Sequence, residues 1–292
     1  MNASFMPTDS VQLTLALFEI CLLLAGTWLL LRLLLVPAQR SRWLGTSALP
    51  HWPVTLPEFG LFLALIFVAG FIGQYLARIM LGNYIARAAD REGLELFVYG
   101  VCFHGGALIG WLLFPALRRN LHADYGAEPP TESPAPAVPW LKVLGYASGT
   151  LLVALPLLIF LSLGWTLLLR QLGLPDEPQD LIAVFSSTRS PAVIAGMFLV
   201  ACVLAPLNEE LLFRAGLYRY CRQKLGRSLA LVISGGCFGI LHANWASFLP
   251  LALLGMALAL VYEATGSIRV SVIAHGLFNL NTILIILSGL QQ

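Results

Sequence analysis

The chain has 292 residues, of which 58% are hydrophobic and only 11% are charged, and its formal net charge is +2. Soluble domains contain about 45–50% apolar and about 25% charged residues, so this composition excludes an ordinary soluble globule and a disordered chain. It also excludes a nucleic-acid-binding protein, because no basic field is available to hold phosphate backbones. The composition therefore predicts a protein that crosses a membrane several times.

Continuous apolar runs predict the membrane spans, since a helix needs roughly 20 apolar residues to cross the hydrocarbon core. Eight runs meet or approach this length: 11–36, 58–82, 96–117, 141–169, 191–212, 229–243, 247–263 and 268–289. The sixth run is short and rich in glycine, which favours a half-span or a tightly packed helix. The runs lack the alternation of barrel strands. The predicted fold class is an all-α polytopic integral membrane protein with about eight transmembrane helices.

A proline-rich stretch between Asn120 and Pro139 is typical of an exposed linker. It predicts an N-terminal three-helix membrane region over 1–140 and a C-terminal membrane core over 141–292. Lys and Arg residues near the span ends favour an N-terminus outside the cytoplasm. No basic segment precedes the first span, so this span is interpreted as a retained anchor rather than a secretory signal.

The first of three polar motifs is NEELLFR, which covers residues 208–214 at the end of the fifth run. Glu210 and Arg214 are four residues apart, so they lie on one helical face and can pair. Glu209 points about 100° away and lacks that partner. Ionisable groups inside a membrane usually have a partner or a function. The alternative is that the helix has already left the membrane here and these charges are solvated.

The second motif, FGILH, ends the sixth run at His242, and the third, HGLFN, places His275 and Asn279 one turn apart in the eighth. Each motif has a structural alternative. His242 can bond to backbone or to Asn244 near an interface. His275 and Asn279 can form hydrogen bonds between packed helices.

The motifs agree in their predicted depth below the cytoplasmic boundary. At 1.5 Å per residue, Glu209 lies about 15 Å deep and His242 about 21–22 Å deep. By the same rise, His275 lies about 12 Å deep and Asn279 about 18 Å deep. Polar groups from three helices thus converge near the middle of the bilayer. The sequence predicts a membrane-embedded polar cavity.

This set of groups can hydrolyse an amide. A carboxylate can take a proton from water, and an imidazole can orient that water. A second imidazole and an amide can donate hydrogen bonds to the oxyanion that forms at the carbonyl. The same groups also resemble a metal site of two histidines and one carboxylate, so a divalent cation such as zinc stays an alternative.

The motifs read Glu-Glu-x-x-x-Arg, Phe-x-x-x-His and His-x-x-x-Asn on successive helices. In this order they resemble the CAAX protease and bacteriocin-processing family of intramembrane endopeptidases, which includes the endopeptidase that trims prenylated CAAX proteins. The resemblance covers roughly residues 141–290. It implies an eight-helix bundle in which Glu209 activates water, His242 assists it, and His275 and Asn279 line the oxyanion site.

The resemblance also implies that Glu210 and Arg214 form a supporting ion pair. It implies a bacterial inner (plasma) membrane protein whose partners are the lipid bilayer and a membrane-associated protein or peptide substrate. A glutamic mechanism without a cofactor is preferred, and the sequence contains no HExxH pair that would argue for zinc. The substrate and its prenylation stay open.

Two other functions stay open. A non-catalytic scaffold or a bacteriocin-immunity protein would use the same motifs as structural polar networks. A proton-coupled transporter would use buried Glu and His as an ion relay, but the inverted repeats typical of such carriers are not found.

Outside the motifs, His104 lies beside Gly106 and Gly110, whose spacing is typical of close helix packing. It is interpreted as a structural histidine with satisfied hydrogen bonds.

Overall fold

The computed structural model describes residues 9–45, 47–124, 128, 135–177, 184, 188 and 190–288. Within these residues the chain forms helices and no strand. In chain order they are α1 (Asp9–Leu35), α2 (Pro37–Leu44), α3 (Leu56–Ile85), α4 (Arg91–Asp124), α5 (Trp140–Leu172), α6 (Pro191–Leu225), α7 (Arg227–Leu241), α8 (Trp245–Thr265) and α9 (Ile268–Ser288). Each predicted run coincides with one helix, and α2 is an additional short polar helix.

The helix lengths confirm the predicted fold class. Among the described residues, seven helices are long and apolar enough to cross a membrane. The exception among the eight predicted runs is α7, which has 15 residues, as its short sequence run indicated. The domain division at residue 140 stays a prediction. Helix α4 extends to Asp124, and residues 125–127 and 129–134 of the proline-rich stretch lie outside the described residues.

Helices α3 and α4 pack with their backbones in direct contact. A Cβ atom on Gly106 would lie 2.2 Å from the carbonyl oxygen of Ala69, and one on Gly110 would lie 2.2 Å from that of Leu65. Real Cβ atoms do not approach an oxygen this closely, so both positions require glycine. The predicted close packing of α4 is confirmed. The two helices therefore pack as one unit, and His104 lies on α4.

Replacing Gly106 by alanine is expected to destabilise the protein, because the added methyl group would overlap the Ala69 oxygen. Overpacking of this kind costs about 1–3 kcal/mol. The matched control is Gly105→Ala, since a Cβ on Gly105 has no atom within 4 Å. Unfolding in detergent checks both variants. Equal stability of the two would contradict the direct backbone contact.

Helix α6 is not a regular α-helix. Two π-helical segments, Val200–Leu204 and Leu211–Tyr218, flank the α-helical turn Ala205–Glu210. Pro206 lies in that turn and has no N–H, so it interrupts the helical hydrogen-bond ladder. Such wide segments often occur at functional sites. Here they lie on both sides of Glu209.

One buried carboxylate connects the end of α6, the start of α7 and the end of α8. Glu263 is 0% exposed and accepts a hydrogen bond from the hydroxyl of Tyr218 at 2.7 Å. It also forms ion pairs with Arg222 and Arg227, each at 2.8 Å. This cluster fixes α8 to α6 and α7, the two helices that carry the first two polar motifs.

Candidate active site

The end of α7 determines the orientation of His242. In a continuing α-helix the His242 N–H would bond to the Phe238 carbonyl, but it turns to the Gly239 carbonyl at 3.3 Å instead. The vacated Phe238 oxygen lies 2.7 Å from His242 Nδ1. A carbonyl only accepts hydrogen bonds, so Nδ1 carries the proton and donates it. In the neutral ring, Nε2 is therefore left with a lone pair that can accept a proton.

Glu209 lies on α6 between the two π-helical segments. Its side chain is 25% exposed, whereas that of its neighbour Glu210 is 0% exposed. Its Oε2 atom has no hydrogen-bond partner among the described residues. A carboxylate that is partly accessible and unbonded at one oxygen can accept a proton from a bound water molecule.

His275 lies between the two glutamates. Its ring is 2% exposed, and its Nδ1 lies 2.9 Å from Oε1 of Glu210. An ionised carboxylate only accepts, so Nδ1 donates this bond. Nε2 then faces Oε2 of Glu209 at 3.7 Å, which is too long for a direct hydrogen bond. The His275 ring thus lies between the partly exposed carboxylate of Glu209 and the buried carboxylate of Glu210.

The buried carboxylate of Glu210 also pairs with Arg214 at 3.1 Å, and both side chains are 0% exposed. The Arg214 guanidinium lies 4.4 Å from the centre of the Phe238 ring and donates a hydrogen bond to the Gly255 carbonyl at 3.3 Å. The pair therefore lies inside the bundle, where it joins α6 to α7 and α8. The predicted alternative of solvated charges is wrong for Glu210 and Arg214, because both are fully buried.

Asn279 has a backbone partner that the sequence did not indicate. In the first π-helical segment of α6, the Ala205 N–H bonds to the Val200 carbonyl. The next residue, Pro206, has no N–H, so the Ala201 carbonyl lacks a helical donor. The Nδ2 of Asn279 donates to that oxygen at 2.7 Å. Asn279 thus holds α9 against the irregular part of α6, and its role at an oxyanion stays a prediction.

A cavity of about 230 Å³ lies between α3, α4, α6 and the end of α7. The polar side chains in its wall are Glu209, His242, Asn208 and His104. The rest of the wall is apolar and consists of Ile66, Phe67, Phe103, Ala107, Leu212, Phe213 and Leu241. Glu209 and His242 therefore meet in one cavity. Among the described lining residues, His275 and Asn279 do not occur, and His275 lies behind Glu209.

The hydrogen bonds of His104 are not all satisfied, contrary to the sequence-based interpretation, whereas its structural role stays a prediction. Its Nδ1 is buried and has no hydrogen-bond partner among the described residues. The backbone carbonyl of His104, by contrast, accepts a hydrogen bond from Asn208 Nδ2 at 3.2 Å. This bond fixes α4 to α6 at the residue next to Glu209.

The expectation that the site works without a metal ion stays a prediction. Among the described residues, no group of three or more His, Cys, Asp or Glu side chains is placed to hold a cation. The Nδ1 of His242 is bonded to a backbone carbonyl, and that of His275 to a buried carboxylate. These bonds leave Nε2 of each ring free, and a histidine that binds a metal commonly donates its other ring N–H in this way.

The fold and the site together define a polytopic helical membrane protein in which a carboxylate and imidazoles share a cavity inside the bundle. Residues 191–281 match the family described as Type II CAAX prenyl endopeptidase Rce1-like. This segment contains all three polar motifs, so the resemblance to the CAAX protease and bacteriocin-processing family is confirmed over these residues.

One relative in Bacillus subtilis (strain 168) bears the name "Putative membrane peptidase YdiL". It is 31% identical over 83 residues, which are 28% of this chain and 34% of the relative. The match thus spans about a third of the length of the relative. No solved structure matches this chain.

Proposed function

We propose that the protein is an intramembrane endopeptidase of the glutamic type, which hydrolyses a peptide bond in a membrane-associated protein or peptide. The observation that supports it best is the shared cavity, which Glu209 and His242 line together, while Oε2 of Glu209 has no hydrogen-bond partner among the described residues. The distribution of Lys and Arg favours an orientation with the N-terminus outside the cytoplasm of a bacterial cell.

In the proposed reaction, Glu209 takes a proton from water, and the water oxygen attacks the carbonyl carbon of the peptide bond. His242 holds this water through the lone pair on Nε2, which remains free because Nδ1 is bonded to Phe238. The tetrahedral intermediate collapses when the carboxyl proton of Glu209 passes to the amide nitrogen and the C–N bond breaks. The products are a carboxylic acid and an amine, and Glu209 returns to its starting state.

The apolar composition of the cavity wall favours a hydrophobic substrate. Apart from four polar side chains, its lining is aromatic and aliphatic, and it includes the rings of Phe67, Phe103 and Phe213. A charged side chain next to the cleaved bond would lose its hydration without gaining a partner there. The proposed substrates therefore present apolar residues at the cleavage site.

The proposal is tested by comparing peptide termini in membranes from cells with the wild type, Glu209→Ala or His242→Ala at equal expression. We expect termini that occur only with the wild type, because each substitution removes one group that acts on the water. These termini would also identify the substrate class. Three identical profiles would overturn the proposal and favour a non-catalytic scaffold or immunity protein.

His104 is expected to contribute to the same reaction through its side chain. Its replacement by alanine should lower kcat/KM by about 10²-fold, the lower end of the range for a group that accepts or donates protons. The backbone bond to Asn208 does not involve the imidazole and should survive. Peptide hydrolysis by purified variants measures the effect, with the exposed loop histidine variant His51→Ala as the control. Equal activity of the two variants would contradict a role for His104.

A further inference from the structure

Asn208 immediately precedes Glu209 on α6 and lines the same cavity. It is 7% exposed, so its side chain lies almost entirely inside the protein. Consecutive Cα atoms are about 3.8 Å apart, so a group that Asn208 contacts in the cavity is also near the carboxylate of Glu209. In the proposed reaction, Glu209 and His242 act on the water molecule, whereas Asn208 has no part in that step.

Two hydrogen bonds fix the orientation of the Asn208 amide. Its Nδ2 donates to the Leu204 carbonyl at 3.0 Å, one turn earlier on α6, and to the His104 carbonyl at 3.2 Å on α4. A carbonyl oxygen only accepts hydrogen bonds, so the amide atom that contacts both carbonyls must be the nitrogen. Both hydrogens of this nitrogen are therefore used, and the amide cannot turn over without losing these bonds.

The oxygen of the same amide, Oδ1, is left over by this arrangement. The two hydrogen bonds of the Asn208 side chain to described residues both involve Nδ2 and leave Oδ1 without a partner there. An amide oxygen carries no proton, so it can only accept. Buried polar side chains are bonded in the large majority of cases, so a spare acceptor on a residue that lines a cavity indicates a donor that enters the cavity.

A peptide substrate brings such donors with it. The N–H groups inside a helix bond to carbonyls of the same helix, whereas those of an extended segment have no partner within the segment. Most residues in the cavity wall are apolar and offer no acceptor. A backbone N–H that lost its water there without a new partner would oppose binding. An acceptor next to Glu209 removes this cost for a substrate that is extended at the cleaved bond.

We propose that Asn208 is a substrate-binding residue whose Oδ1 accepts a hydrogen bond from a backbone N–H of the substrate next to the cleaved peptide bond. The inference rests on the proposed peptidase function and deepens it. The bond holds an extended segment beside the water molecule on which Glu209 and His242 act. It recognises the peptide backbone rather than a particular side chain, so the apolar wall is left to select the side chains.

The test replaces one backbone N–H of the substrate at a time by an ester oxygen, which removes the donor and nearly keeps the shape of the chain. The peptide comes from the wild-type cleavage site, and its cleaved bond stays an amide. With the purified full-length protein in detergent, we expect one ester beside that bond to lower kcat/KM about tenfold, the effect of one hydrogen bond. Asn208→Ala should no longer distinguish this ester from the amide, because the acceptor is gone.

The matched control is Asn281→Ala. Asn281 is also buried and also joins two helices, since its Nδ2 donates to Oε2 of Glu19 on α1 at 3.4 Å. It is not among the described residues that line the cavity. This variant should keep the full ester effect. If Asn208→Ala does not fold, Asn208→Ser takes its place, because the serine hydroxyl can donate to the Leu204 carbonyl and serine lacks the amide oxygen.

Two results would overturn the proposal while the wild type still hydrolyses the amide peptide. If no ester position lowered kcat/KM of the wild type, no backbone N–H of the substrate would be recognised. If the ester effect persisted in the Asn208 variant, the residue would only join α4 to α6. In both cases the proposed peptidase function would stand. If the wild type did not hydrolyse the amide peptide at all, the peptidase function itself would be overturned, and the role of Asn208 with it.

Discussion

Replacing Glu209 by glutamine is expected to abolish peptide-bond hydrolysis and to lower kcat by about 10²- to 10⁴-fold. Glutamine has nearly the same size as glutamate, so the cavity wall keeps its shape. Its amide, however, cannot take a proton from water. In the wild type, the Glu209 side chain lines the cavity, and its Oε2 has no hydrogen-bond partner among the described residues. Hydrolysis of a peptide from the wild-type cleavage site, followed by mass spectrometry, measures the rate.

The matched control is Glu95→Gln, which removes a carboxylate from an exposed pair with Arg91 on α4. This variant should hydrolyse the peptide at the wild-type rate. Both proteins should unfold under the same conditions as the wild type, since neither carboxylate belongs to the buried ion pair. If Glu209→Gln hydrolysed the peptide at the wild-type rate, the glutamic mechanism would be ruled out, although the protein would still be a peptidase.

The sequence predicted the helices and one ion pair well, because these depend on local spacing. Apolar runs of sufficient length leave few alternatives to membrane helices. A separation of four residues brings Glu210 and Arg214 onto one face of the helix, where the structure has them at 3.1 Å. The same separation brings the rings of Phe238 and His242 to 4.8 Å.

The contacts of Asn279 could not be predicted, because they depend on where α6 departs from an α-helix. The change to π-helical bonding and the missing N–H of Pro206 leave one carbonyl unpaired, and Asn279 lies across from it on α9. Spacing within α9 contains no information on this distant carbonyl. The position of His275 between two glutamates likewise depends on the packing of α9 against α6.

His104 could have been found with the same depth argument that connected the three motifs. Counting from Arg118 at the end of the third span, His104 lies about 21 Å deep at 1.5 Å per residue. This depth equals that predicted for His242. The neighbouring glycines favoured a packing role, yet they place α4 close to α3 and leave the His104 ring in the cavity wall. Close packing and a side chain in the cavity wall therefore occur together on one helix.

Replacing Arg214 by methionine is expected to cause the largest loss of stability, about 3–5 kcal/mol in the free energy of unfolding. Arg214 and Glu210 are both 0% exposed, so the substitution would leave a buried carboxylate without its guanidinium partner. It would also remove the cation above the Phe238 ring and the hydrogen bond to Gly255. Unfolding in mixed micelles of increasing denaturing detergent measures the change.

The control variant, Arg91→Met, breaks a pair with the same four-residue spacing, but Arg91 is 60% exposed, and such surface pairs contribute only about 0.3–0.5 kcal/mol. A second comparison is the double variant Glu210→Gln/Arg214→Met, which removes both charges. The introduced glutamine would keep an oxygen that can accept the hydrogen bond of His275, so the double variant should be more stable than Arg214→Met alone. This order follows if the cost comes from an unpaired buried charge. If both variants lost the same stability, the contacts of Arg214 with Phe238 and Gly255 would carry the effect instead.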